Sequence, residues 1–78
     1  MSLSDSIKII RQKTLMNQED FAAELRVSLA SVNRWEVGKS IPNLTAMKSI
    51  KTFCEKHNQN YGMVENEWIT VRLEAKKR

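Results

Sequence analysis

Two short segments with helical patterning stand almost back to back, and that spacing limits the fold more than any other feature of the 78-residue chain. The first runs from Gln18 to Leu25, with Phe21, Ala22 and Leu25 on one helical face. The second runs from Leu29 to Val37, with Val32 and Trp35 three residues apart on its inner edge. Each follows a residue that caps helix starts well, Asn17 and Ser28, and Asp20 stands in a capping-box-like relation to Asn17. Only Arg26 and Val27 lie between Leu25 and Ser28. Ala22 is small where two helices need to approach closely. Gly38 follows the second segment, where a left-handed residue ends a helix at little cost.

The flanks continue in the same manner. Ser4 is expected to cap a helix over Ser4 to Lys13, with Asp5 at the positive end of its dipole and Ile7 and Ile10 facing the core. Leu15 and Met16 form a short connection. The dipeptide Ile41-Pro42 breaks the chain, and Asn43 caps a helix from Leu44 to Lys56. Its stripe is Leu44, Met47, Ile50 and Cys54, widened by Phe53. A polar, turn-like stretch runs from His57 to Gly62. Beyond it, Val64, Trp68, Val71 and Ala75 share one face of a helix, whereas Ile69, Val71 and Leu73 alternate as in a strand. The run Ile69-Thr70-Val71 favours the strand by propensity. Glu65 and Glu67 early, with Lys76, Lys77 and Arg78 late, favour the helix through its dipole, and the helix is preferred.

The whole reads as one all-α domain of four to five helices. Two glycines and one proline leave little material for the sharp turns of an all-β fold. A chain of this size buries only about 60% of its unfolded surface, which leaves little material for a deep catalytic pocket and makes dimerisation useful. The hydrophobic fraction of 41% and charged fraction of 28% are those of a soluble globular protein. The single Cys54 excludes an internal disulfide and suits a reducing cytoplasm. No apolar run approaches the roughly 18 residues of a membrane span, no secretory leader is evident, and no second His or Cys stands at metal-ligand spacing. No cofactor, metal or membrane partner is expected. The net charge of +4 says little, because Lys76, Lys77 and Arg78 supply three of it. The local balance says more: from Ser28 to Lys51 there are four bases, Arg34, Lys39, Lys48 and Lys51, against one acid, Glu36. A phosphate-facing surface needs such an imbalance.

Two short helices joined by a tight turn, the second apolar inside and lightly polar outside, describe a helix-turn-helix. The second helix enters the major groove, and the first lies across the phosphates. The segments Asn17-Gln18-Glu19-Asp20-Phe21-Ala22-Ala23-Glu24-Leu25, Val27-Ser28, Ser31-Val32-Asn33-Arg34-Trp35-Glu36-Val37-Gly38-Lys39 and Pro42 resemble the Xre family, the phage-repressor or Cro/C1-type group. The resemblance covers about Ile7 to Cys54 and implies a compact lambda-repressor-like domain over residues 1–57, with residues 58–78 as a C-terminal extension and candidate dimerisation element.

The resemblance also implies roles. Leu29, Ala30, Asn33 and Arg34 match base-reading positions. Leu29 and Ala30 suit thymine methyls, Asn33 adenine and Arg34 guanine. Leu29 as a core edge, and Arg34 as a plain phosphate clamp, remain alternatives. Asn17, Gln18, Ser28, Ser31, Lys39, Ser40 and Asn43 match phosphate-contacting positions around the helix starts and the following loop. Arg11 and Glu36 resemble a structural ion pair between the first helix and the end of the third. Two residues depart from the family pattern: Arg26 where glycine is common, and Val37 where a polar residue often grips the backbone. Trp35 is read as core, Trp68 as core or dimer interface, and His57 as a charge partner at a helix C-terminus. The function implied is a sequence-specific, non-catalytic regulator of transcription, acting as a homodimer on a near-palindrome of duplex DNA and blocking a promoter. The alternative is an interaction module of the same fold, an antitoxin or accessory subunit, whose chief partner is another protein.

Overall fold

The computed structural model describes residues 2–76. Five helices follow in order: α1 (Leu3–Lys13), α2 (Gln18–Leu25), α3 (Leu29–Glu36), α4 (Leu44–Lys56) and α5 (Tyr61–Lys76). Helices α1 to α4 start at a side chain that accepts the backbone N–H three residues on. Asn17 takes Asp20, Ser28 takes Ser31 and Asn43 takes Ala46, as the sequence implied. Asp20 returns no side-chain bond to Asn17 among the described residues, so the capping box is one-sided. The cap of α1 is Ser2, not Ser4: its hydroxyl accepts Asp5 N–H at 3.2 Å and lies 3.1 Å from Ser4 Oγ. Starting earlier brings Leu3 into the core, where burying a leucine contributes about 1.5–3 kcal/mol.

The core unites Ile7 and Ile10 of α1, Phe21 and Leu25 of α2, Val32 and Trp35 of α3, Met47, Ile50, Phe53 and Cys54 of α4, and Val64 of α5. Phe21 and Phe53 meet edge to face with ring centroids 5.0 Å apart. Cys54 is buried and packs as a small core hydrophobe, and burial pushes its thiol up to about 11. α3 is held between α1 and α2, while α4 packs on α2 and α5, and α5 also on α1. Leu44 does not join the α4 stripe: as the first helical residue it lies beyond the core, 58% exposed, and Ala46 is buried instead.

The C-terminal segment is a helix, and the strand alternative is excluded. Tertiary burial of Val64, with Trp68 and Val71 packed beside it, outweighs the β-branched propensity of Ile69-Thr70-Val71. Ala75, expected on the same face, is exposed. Asn60 Oδ1 accepts Met63 N–H at 3.3 Å near the helix start. The Trp68 indole N–H donates to the Pro42 carbonyl at 2.7 Å, so this tryptophan ties α5 to the loop after α3. Lys77, Arg78 and the side chain of Lys76, invoked for the helix dipole, lie outside the described residues.

Three helices end with one device. An N–H bonds back to the carbonyl five residues earlier, and the N–H before it bonds to the next carbonyl along: Met16 to Arg11 and Leu15 to Gln12, Val27 to Ala22 and Arg26 to Ala23, Lys39 to Arg34 and Gly38 to Trp35. α3 thus ends at Glu36, with Val37 as its cap and not its last residue. α4 shares the first of the two bonds, Gln59 to Cys54 at 2.8 Å. The device needs a left-handed residue, and the chain places Leu15 (φ 59°), Arg26 (φ 58°), Gly38 (φ 81°) and Asn58 (φ 56°) there. Glycine is free of the Cβ clash in this region, and asparagine visits it routinely.

Arg26 therefore keeps the usual turn shape under strain. Its replacement by glycine should relieve about 1–2 kcal/mol of left-handed strain and restore about 0.5–1 kcal/mol of unfolded-chain entropy. The expected net gain is about 0.5–1 kcal/mol in urea unfolding, with an unchanged slope. A loss of stability would mean that the Arg26 side chain, not its backbone, governs this turn.

Candidate nucleic-acid interface

The two faces of α3 have different tasks. Val32 and Trp35 are buried, which fixes the rotation of the helix against the core. Ala30, Asn33 and Arg34 are then exposed on the outer side, with Leu29, which is 46% exposed and not a core residue. Trp35 is a core residue and not a stacking platform. A groove of about 490 Å³ opens beside α3, and Ser31, Arg34, Ser40 and Asn43 line it together with Arg26 and Thr45. Residues from α3, the following loop and the start of α4 thus converge on one concavity.

Asn17, Gln18, Ser28 and Asn43 sit at helix starts. The side-chain oxygens of Asn17 and Asn43 are occupied by capping, at 2.7 and 2.8 Å, which leaves their N–H₂ groups to face an anion. Ser28 caps α3 at 3.0 Å and its hydroxyl lies 2.8 Å from that of Ser31. Lys39 and Ser40 are exposed in the loop beyond Gly38. Arg34, Lys39, Lys48 and Lys51 are exposed and carry no ion pair among the described residues.

Glu36 lies beneath this face, at the end of α3, with its side chain 2% exposed. An acid at a helix C-terminus is unfavourable, and a buried one more so. Arg11 compensates it with two bonds, Nε to Oε2 at 2.7 Å and Nη2 to Oε1 at 2.9 Å, while Nη1 donates to the Met16 carbonyl at 3.0 Å. The bond to Glu36 holds the Arg11 guanidinium above its ordinary value, against the opposing effect of burial. The pair joins α1 to α3 as the resemblance implied.

Sequence reasoning did not find the rest of this network. Gln18 Nε2 also donates to Glu36 Oε1, at 3.1 Å, and Gln18 Oε1 lies 3.4 Å from Asn33 Nδ2. Gln18 and Asn33 were assigned separately to phosphate and base, and here they touch. The available signal was an amide at one helix start facing an acid at another helix end. A second cluster lies apart: Glu24 accepts from Lys56 Nζ at 3.1 Å and lies 3.0 Å from His57 Nε2. Those two bonds hold the Glu24 carboxyl below the usual carboxylate range. His57 does sit at the C-terminus of α4, where it was expected. Among the described residues no group of His, Cys, Asp and Glu is placed to hold a metal, and no helix is long and apolar enough to cross a membrane.

Replacing Arg11 by methionine keeps the stem and leaves Glu36 buried without its cation. A loss of about 3–5 kcal/mol is expected in chemical unfolding, the cost of breaking a buried pair from one side. A change below about 1 kcal/mol would show that Gln18 and solvent suffice for the carboxylate.

Comparison with known proteins agrees with this geometry. A family model described as helix-turn-helix matches residues 7–56. The HTH-type transcriptional activator BcrR of Enterococcus faecalis is 32% identical over 53 residues, which cover 68% of this chain and 26% of that protein. The chain therefore spans about a quarter of the length of this relative. No solved structure matches. The matched residues hold the capped α2, the turn, the exposed outer face of α3 and the Arg11–Glu36 pair, and the chain belongs to the Cro/C1-type helix-turn-helix family of DNA-binding domains.

Proposed function

We propose that this chain is a sequence-specific reader of duplex DNA that regulates transcription, with α3 in the major groove. The observation that carries the reading is the outer face of α3. Leu29, Ala30, Asn33 and Arg34 are exposed together on a helix whose other side is locked into the core. Leu29 and Ala30 would meet thymine methyls, and Asn33 and Arg34 would meet purine edges. Asn17, Gln18, Ser28, Ser31, Lys39, Ser40 and Asn43 would hold the backbone. The named function of BcrR supports a role in transcription. Occlusion of a promoter needs only occupancy of the site, and repression is the regulatory sense proposed. No catalysis is proposed.

The domain would act as a homodimer, with residues 1–57 on DNA and the extension 58–78 providing the contact between copies. Ile69 and Leu73 support this, because they are 44% and 56% exposed on α5 beside the Arg72 guanidinium, which stacks over Trp68 at 4.6 Å. Two domains about one helical turn apart, ~34 Å, would read an inverted repeat. Sedimentation velocity should show a dimer that Leu73→Glu converts to a monomer. A wild-type monomer at all concentrations, with or without DNA, would remove α5 from this role.

Selection of bound duplexes from a random library should enrich a short inverted repeat. Affinity should fall with salt at a log–log slope of about −0.9 per phosphate contact. Arg34→Ala should cost about 1–3 kcal/mol and relax one base position. A uniform loss over all sequences would make Arg34 a backbone clamp. Absent binding would favour the protein-interaction module.

A further inference from the structure

Gln18 and Asn33 both carry amides whose two ends differ, one a donor and one an acceptor. In isolation either amide can turn over at little cost. Here Glu36 removes that freedom. Its carboxylate is buried, accepts only, and faces Gln18 at 3.1 Å, so the Gln18 end pointing at it must be the N–H₂. The Gln18 oxygen is thereby turned outward, 3.4 Å from the Asn33 amide. An oxygen there accepts, so Asn33 must present its nitrogen to Gln18.

We propose that Gln18 is a positioning residue that sets which purine Asn33 reads, by passing the polarity of buried Glu36 to the surface of α3. This rests on the DNA-reading role of α3 proposed above. An asparagine amide has two N–H donors and one acceptor oxygen. Gln18 occupies one donor. One donor and one acceptor remain to face the groove. Adenine offers the complement of that pair, N7 as acceptor and N6–H as donor. Guanine offers two acceptors, N7 and O6, and satisfying both from one amide requires the N–H that Gln18 holds. The network therefore selects adenine over guanine at the Asn33 position. Arg11 contributes indirectly, because its two bonds hold the Glu36 carboxylate fixed in place. Gln18 thus does more than hold a phosphate, a contact whose loss alone weakens binding to all sequences alike.

Gln18→Met tests the assignment, since methionine is nearly isosteric and has no amide. In the duplex selection, wild-type protein should prefer adenine to guanine at one position of each half-site by roughly tenfold or more, the scale of a good bidentate contact. Gln18→Met should reduce that preference to a few-fold while preferences at other positions persist. In an Asn33→Ala background, Gln18→Met should leave the adenine-to-guanine ratio unchanged. Side-chain amide resonances of Asn33 in the free protein provide a readout independent of DNA. Their two protons should be distinct and slow to exchange in the wild type, and should move toward free-amide positions in Gln18→Met. An equal affinity loss for every sequence, with the base preference intact, would overturn the proposal and make Gln18 a phosphate clamp. Unperturbed Asn33 resonances in Gln18→Met would overturn it too, even if that variant bound DNA poorly. A wild-type protein that binds no duplex would instead refute the underlying reading, and the resonances would still report whether the relay exists.

Discussion

The structure depends on a carboxylate that solvent barely reaches. A buried ion costs several kcal/mol unless it is paired and its remaining lone pairs are filled. Glu36 has three bonds from two partners, Arg11 and Gln18, on separate helices. Arg11 in turn reaches the Met16 carbonyl just before α2. The end of α3, the last turn of α1 and the start of α2 are thereby fixed in relation to one another through one side chain. A leucine at this position would give the core as much apolar area but no direction. The carboxylate accepts bonds along particular lines, and those lines help set how α3 sits on the rest of the domain.

The turns show how a small domain makes sharp corners with two glycines. Each of the first four helices closes by sending an N–H back to a carbonyl five residues earlier, which satisfies part of the unpaired helix end. The closure requires a left-handed residue, yet only one of the four is glycine. Leu15 is 93% exposed and Arg26 is also exposed. Their side chains project into solvent, so the cost of these corners is confined to the backbone. The same closure places Lys39, which donates its backbone N–H to Arg34 and carries its ammonium outward.

Most of the fold could be read from local chemistry. Asn17, Ser28 and Asn43 mark helix starts because a short side-chain oxygen satisfies an N–H that no carbonyl can reach. Ile7, Ile10, Val32 and Met47 mark the inner faces because only one side of each helix meets the core. The pattern was less informative where tertiary burial decided between near-equal local choices. Leu3 moved the first cap to Ser2, and Val64 drew a β-branched segment into a helix. The exposure of the candidate contact residues on α3 was legible in the sequence, and the bonds between them were not. Gln18, Asn33 and Glu36 stand on two helices; an amide at one helix start and an acid at another helix end hint at one contact, but only the fold shows that one amide touches both of the others.

The tertiary structure also ties the loop after α3 to a helix outside the family match. Residues 7–56 carry the family match, and α5 lies outside them. Yet the Trp68 indole donates to the Pro42 carbonyl at 2.7 Å. Pro42 is buried at the exit of the loop that carries Lys39 and Ser40, and a proline carbonyl there has no helix partner of its own. Left unpaired, a buried carbonyl would cost roughly 1–3 kcal/mol, a large share of the stability of a domain this small. α5 relieves that cost while Val64 anchors it to α1 and α4. The loop beyond α3 is thus held at one end by the closure at Gly38 and at the other by a tryptophan from the C-terminal helix. Any movement of α5 would therefore reach the backbone of the loop through the Trp68–Pro42 hydrogen bond.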